Sequence, residues 1–278
     1  MNQERYGVRF APVNRLGAKI RAIPLVALRG KCFHHIRPQM HWDYAVILAF
    51  LVIVLPLVGK WRVERILRQP ETNQAERLRL YASTIAFQWL LVALIAWRTS
   101  AHGITTAELG LMAPFPLRTA LVALGLASLI LLNQLVSLRF VGSRPEELQG
   151  KLARVALRIF PQDNLERLVF FGVVTTVAIC EEFIYRGFVQ GLFALLFQSA
   201  VAGVLVSAAM FSVAHLYQGK RGLVATCVVG ILFAAARAFT GSLIPAVCAH
   251  FVTDFVAGYM FPSRLRNAIH AEAKAAEN

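Results

Sequence analysis

Charge is scarce in this sequence. Asp, Glu, Lys and Arg make up 16% of its 278 residues, while 57% are hydrophobic. Soluble domains carry roughly 25% charged and 45–50% apolar residues. A soluble fold of this length cannot bury the surplus and keep a wettable exterior, so the excess apolar surface faces lipid. Cysteine is also sparse: Cys32, Cys180, Cys227 and Cys248 show no paired spacing, which argues against a disulfide framework. Three of the four sit in apolar stretches, where cysteine behaves as a small hydrophobe. There is no GxSxG and no HExxH, so neither a serine-hydrolase elbow nor a zincin helix is on offer. Internal repeats and low-complexity tracts are lacking too. Near the amino terminus, residues 20–30 form only a weak apolar run flanked by Arg, so a cleavable signal peptide is not expected.

What the chain does have is long apolar runs. A helix needs about 20 mainly apolar residues to cross a ~30 Å hydrocarbon core. Candidate spans fall near 44–59, 80–97, 119–138, 165–187, 188–198, 200–217, 222–239 and 242–261. The segment 188–198 is too short to cross alone and is either re-entrant or a continuation of the helix before it. The expected fold is therefore an all-α, polytopic transmembrane helical bundle of about eight spans. Three regions follow: a basic arm over 1–43, interfacial or flexible; a membrane domain over 44–262; and a polar tail over 263–278.

The net charge of +14 lies beside the apolar spans. Eight Lys/Arg precede residue 44, six lie in 60–79 and six in 139–167. Basic flanks of this kind suit anionic headgroups, so the expected partner is the lipid bilayer and no nucleic acid. The positive-inside rule gives no consistent orientation, because a crossing at 44–59 separates the arm from the other two clusters. Cys32, His34, His35 and His41 in the arm fit no standard zinc spacing. The stretch LQGKLARVALRIF has helical apolar periodicity with basic residues opposite, as in a helix lying on the membrane surface. After Pro161, Asp163 or Asn164 is the expected N-cap of a long helix.

An ionisable residue at membrane depth is costly and marks a functional site by default. Of fifteen carboxylates, only Glu181, Glu182 and Asp254 lie well inside apolar stretches; of the histidines, only His215 and His250 do. In AICEEFIYRGF, Glu182 and Arg186 stand four apart on one helix face, the preferred order for an ion pair. Glu181 points about 100° away and is not committed to that pair. Phe211 and His215 are four apart in MFSVAHLY, and His250 and Asp254 repeat the spacing in AVCAHFVTDF. Taken singly, each set also reads as a packing or helix-pairing device. Arg237, near a span end, reads as a snorkelling side chain, and Gly187 with Gly191 as a GxxxG packing stripe. Taken together, two glutamates, two histidines, an aspartate and an arginine make up an inventory for general acid–base hydrolysis. The same inventory can bind Zn²⁺ or relay protons.

EEFIYRG, FSVAH and HFVTD, in that order, resemble the EExxxR, FxxxH and HxxxN/D motifs of the type II CAAX prenyl endopeptidases, also called the CPBP or Abi family of membrane proteases. The likeness covers roughly residues 163–262, and its linking text is similar in style to prokaryotic members, which suggests a prokaryotic plasma membrane. The resemblance implies an eight-helix intramembrane protease acting on a membrane-associated, possibly prenylated, peptide or protein. It implies that Glu181 activates the attacking water with His215 opposite, and that His250 and Asp254 bind the oxyanion or position the water. Glu182, Arg186 and Phe211 then support the site. Many eukaryotic members have Asn where this chain has Asp254, and an acid there adds charge or offers a metal ligand. The expected mechanism uses no cofactor; if a zinc ion is used, Glu181, His215, His250 and Asp254 are its candidate ligands. Other classes remain open: a catalytically idle scaffold, a bacteriocin-immunity protein, or a proton-coupled transporter.

Overall fold

The computed structural model describes residues 40–69, 72–140 and 151–277. Most of the basic arm, with Cys32, His34 and His35, lies outside the described residues. Among those described, every regular element is helical: α1 (Trp42–Arg68), α2 (Gln74–Ala101), α3 (Pro116–Arg139), α4 (Lys151–Ile159), α5 (Asn164–Leu196), α6 (Ala200–Ala214), α7 (Leu216–Thr240) and α8 (Ile244–Ile269). Six of them, all but α4 and α6, are long and apolar enough to cross a membrane. This is the all-α polytopic bundle of an integral membrane protein.

Of the two alternatives for 188–198, the structure takes the continuation: with 165–187 it forms the single helix α5, no proline or stop signal separating them. Other boundaries differ from the sequence reading. Helix α1 continues nine residues past 59, so most of the basic stretch 60–79 is helical and only a short link precedes α2. The basic residues of 60–68 are good helix formers, and their charge does not end the helix. At the other end, helical structure runs from Phe261 to Glu277, across the 262/263 boundary.

Helix α5 is the centre of the bundle: 56% of its apolar window is buried, against 17–33% for the other five spanning helices. It packs along α2 and α8, and its last turns pack on α6; α6 also packs on α7, and α3 lies along α8. The α3–α7–α8 contact uses small residues, with Ala246 and Ala249 against Ile130 and Phe233. Helix α4 does not give its apolar face to lipid alone: Ala153 and Ala156 are buried against Leu265 of α8.

Polar ties fix the ends of the hairpins. Asp43 of α1 accepts from Arg98 Nε of α2 at 2.6 Å and lies 2.9 Å from His102 Nε2, whose ring stacks on His41 at 3.8 Å. Arg77 and Glu166 form a buried ion pair at 2.8 Å that joins the starts of α2 and α5. Arg237 does not snorkel: its guanidinium donates to the Glu108 carbonyl in the α2–α3 loop. That loop presses on α5 where side chains are missing. A Cβ on Gly187 or Gly191 would stand 3.1 Å from the Leu109 oxygen or 3.3 Å from the Glu108 oxygen. The GxxxG stripe therefore admits a loop backbone, not a second helix.

Asp163 is the N-cap of α5, accepting the Glu166 amide at 2.9 Å and the Gln74 side chain at 2.8 Å. The Glu166 amide, followed by the Gln74 side chain, holds its carboxyl below the usual range against the opposing effect of burial. A carboxyl so depressed stabilises fully above its unfolded value near ~3.9, and the contribution is lost as pH falls further. Asp163→Ala is expected to lower Tm at neutral pH, and Asp163→Asn, which still caps, to lower it less. Thermal unfolding in detergent at pH 7 and at pH 3 checks this: the gap between wild type and Asp163→Ala should narrow at the acid pH.

Candidate active site

Helix α5 carries Glu181 and Glu182 side by side on one turn and Arg186 on the next. Directly after the two glutamates the helix widens into a π-helical turn over Phe183–Val189. Two further turns of this kind occur, Phe50–Val54 on α1 and Val256–Met260 after Asp254 on α8. Turns of this kind often accompany functional sites, because the wider, locally underwound turn re-aims side chains.

Glu182 is fully buried and serves two partners through one oxygen. Its Oε1 accepts from Arg186 at 2.9 Å and lies 2.7 Å from His250 Nδ1 of α8. A carboxylate oxygen without a proton can only accept, so Nδ1 is the protonated ring nitrogen. The other nitrogen, Nε2, faces Asp254 at 3.5 Å, and the aspartate is about one-third exposed. Arg186 is fully buried, with its guanidinium centre 4.1 Å from the Phe211 ring centroid and 5.4 Å from that of Phe233. Two aromatic faces thus replace water around the charge. The chain Arg186–Glu182–His250–Asp254 links two helices through buried charge.

Glu181 points elsewhere, as its 100° offset predicts. It lines a cavity of about 160 Å³ between α1, α2, α5 and the end of α6, together with Gln88, Tyr185, His215 and Tyr217. Several water molecules fit such a volume. Gln88 of α2 donates to Glu181 Oε1 at 3.1 Å, while Oε2 and the buried Tyr185 hydroxyl have no protein partner. His215 caps the end of α6, and its Nδ1 lies 2.8 Å from the Phe211 carbonyl. A carbonyl accepts only, so Nδ1 carries the proton and Nε2 is left as the ring's second polar atom.

The structure therefore brings Glu181 and His215 to one cavity and joins Glu182, Arg186, His250 and Asp254 in a network behind it. Phe211 lies between the two groups, its ring centroid 4.5 Å from His215 and 5.9 Å from His250. His250 and Asp254 are not among the residues lining the cavity. Residues 163–256 match the family model of the Rce1-like type II CAAX prenyl endopeptidases. That is a peptidase family, and the matched segment holds all three motifs. No curated protein and no solved structure matches the chain.

The four residues suggested as zinc ligands in a CAAX-type site do not converge here. Glu181 and His215 face the cavity, whereas His250 is held between Glu182 and Asp254. Among the described residues no three His, Cys, Asp or Glu side chains stand together as a ligand set. Sequence reading missed Gln88 and Tyr217. Tyr185 lay inside EEFIYRG, but a tyrosine in an apolar helix gives no signal beyond packing.

Beside the same turn of α5 lies an apolar groove of about 400 Å³, bounded by Trp89, Ile179, Phe183, Leu243 and Val247. Ile179 and Phe183 bracket Glu181 in sequence, so groove and cavity share one helical turn.

Proposed function

We propose that this chain is an intramembrane endopeptidase of the CAAX-protease type that hydrolyses a peptide bond through glutamate-activated water. The observation that carries the reading is the cavity shared by Glu181, midway along α5, and His215, at the end of α6. In this mechanism the Glu181 carboxylate takes a proton from water as the oxygen attacks the scissile carbonyl carbon. The carbonyl electrons move to oxygen, giving a tetrahedral oxyanion that the Tyr185 hydroxyl stabilises, joined by His215 Nε2 when the ring carries both protons. On collapse the C–N bond breaks, and the proton held by Glu181 passes to the leaving amine. Gln88 orients the glutamate. His250 and Asp254, anchored by Glu182 and Arg186, act as positioning residues that hold α8 and Phe211 against the site.

The substrate proposed is a membrane-associated peptide or protein, and the apolar groove suits a lipid chain or apolar side chains entering beside α5. No metal is required in this scheme. That no three of the candidate ligands stand together as a set among the described residues favours it over a four-ligand zinc site, and the membrane proposed is that of a prokaryote. A scaffold or immunity role would use the same residues without turnover, and a transporter would use them as a proton relay.

The test is direct. The full chain, reconstituted in liposomes, is incubated with lipid-modified and unmodified peptides, and new termini are read by mass spectrometry. Cleavage should persist after exhaustive chelation. Loss on chelation with rescue by Zn²⁺ would replace the metal-free scheme. No cleavage of any membrane-anchored peptide, together with solute or proton flux in peptide-free liposomes, would replace the peptidase reading altogether.

A further inference from the structure

At the link between α1 and α2, away from the cavity, the two helices and Ile159 enclose a groove of about 630 Å³. This is within the ~300–1,000 Å³ range of small-molecule sites. Among the described residues, three guanidinium groups, from Arg62, Arg65 and Arg79, line it against one carboxylate, Glu76. That carboxylate is already engaged, accepting the Asn73 amide at 3.1 Å in the capping box of α2. Arg62 is steadied by Ser83 across the groove at 2.5 Å, and Arg65 lies over the Trp61 ring at 5.6 Å. The arginines therefore present an excess of positive charge with fork-shaped donors, the geometry that suits phosphate oxygens.

The groove is amphipathic along α1. Val58 and Leu80 line its apolar wall, and Val58 and Trp61 are 50% and 59% exposed. Just before them Leu57, also 57% exposed, belongs to the lipid-facing part of α1. The groove thus spans the level at which α1 changes from apolar to basic, where headgroup phosphates lie and where tryptophan prefers to sit. Free phosphate would satisfy the arginines alone, but it would leave the apolar wall without a partner.

We infer that this groove is a binding site for an anionic phospholipid, with the phosphate held by Arg62, Arg65 and Arg79 and the first acyl carbons lying along Val58, Trp61 and Leu80. It is independent of the peptidase reading. Each arginine near a membrane surface is expected to contribute about fivefold in affinity for anionic lipid.

The test uses the full-length chain in detergent, with native mass spectrometry to count bound lipids. The probes are phosphatidylglycerol and phosphatidylcholine of matched acyl chains. Wild type should retain phosphatidylglycerol in preference to phosphatidylcholine. R65Q/R79Q, which leaves the Arg62–Ser83 tie intact, should weaken that preference by more than tenfold, and R62Q/R65Q/R79Q should remove it. K220Q/R221Q/R264Q removes three positive charges from exposed positions elsewhere and should behave as wild type. Equal losses in the two triple variants would reduce the effect to net charge and overturn the site. Unchanged preference in R65Q/R79Q, or none in wild type, would overturn it as well. Displacement of the lipid by millimolar inorganic phosphate would show that the phosphate alone is recognised, and would overturn the lipid assignment.

Discussion

Glu181→Gln is expected to lower kcat by roughly two to four orders of magnitude, the usual contribution of a positioned general base. The amide keeps the size of the side chain, and its carbonyl oxygen can still accept from Gln88, so the cavity wall survives the change. What it loses is the ability to take a proton from water. Because the interaction is made only as the reaction proceeds, kcat and kcat/KM should fall together. Peptide cleavage by the reconstituted chain measures this, with size-exclusion behaviour and Tm as controls for folding. His215→Ala should act in the same direction. A variant at 181 that retains cleavage within a few-fold of wild type would remove glutamate-activated water from consideration. If the biological phenotype persisted in both variants, the chain would be acting as a scaffold.

The second large effect is on stability. Removing one member of a buried charge network leaves the others uncompensated, at a cost of about 3–5 kcal/mol. Glu182→Ala strips the partner from Arg186 and from His250 at once, and Arg186→Leu leaves Glu182 buried with His250 alone. Each is expected to fall in that range by thermal or denaturant unfolding in detergent. The double variant Glu182→Leu/Arg186→Leu removes both charges and should cost clearly less than the sum of the singles. Strict additivity, or single-variant losses below ~1 kcal/mol, would mean that Arg186 and Glu182 are wetter than their burial indicates. Activity should fall in these variants through the placement of α8, with the carboxylate at 181 itself untouched.

Much of this site was legible because it is local. The Glu182–Arg186 and His250–Asp254 pairs obey helical spacing, and the 100° step from Glu182 to Glu181 separates the two acids into different roles. Asp163 announces itself as a cap by its place after Pro161. The contacts that join these pieces were not legible. Glu182 meets His250 across 68 positions and Gln88 meets Glu181 across 93. Helical periodicity says which face a residue occupies and nothing about which helix lies opposite. Arg237 was misread for the same reason: its partner is a backbone carbonyl 129 residues earlier, and a carbonyl has no sequence signature. Whether 188–198 re-enters or continues 165–187 stayed open, because hydropathy marks apolar length but not whether the chain turns; the structure gives the continuation. The Gly187/Gly191 stripe correctly signalled close approach, but glycine spacing cannot tell a loop from a helix as the approaching body.

Helix α6 has only fifteen residues before it ends at His215, which makes it about 22 Å long against a ~30 Å hydrocarbon layer. If α6 crosses the bilayer, the shortfall is met by the membrane dimpling inward or by moisture following the imidazole down. Either way, the proposed hydrolysis would need no deep aqueous shaft through the protein. A bond lying just under the headgroups would already be within reach of a solvent that this truncated helix draws below the surface.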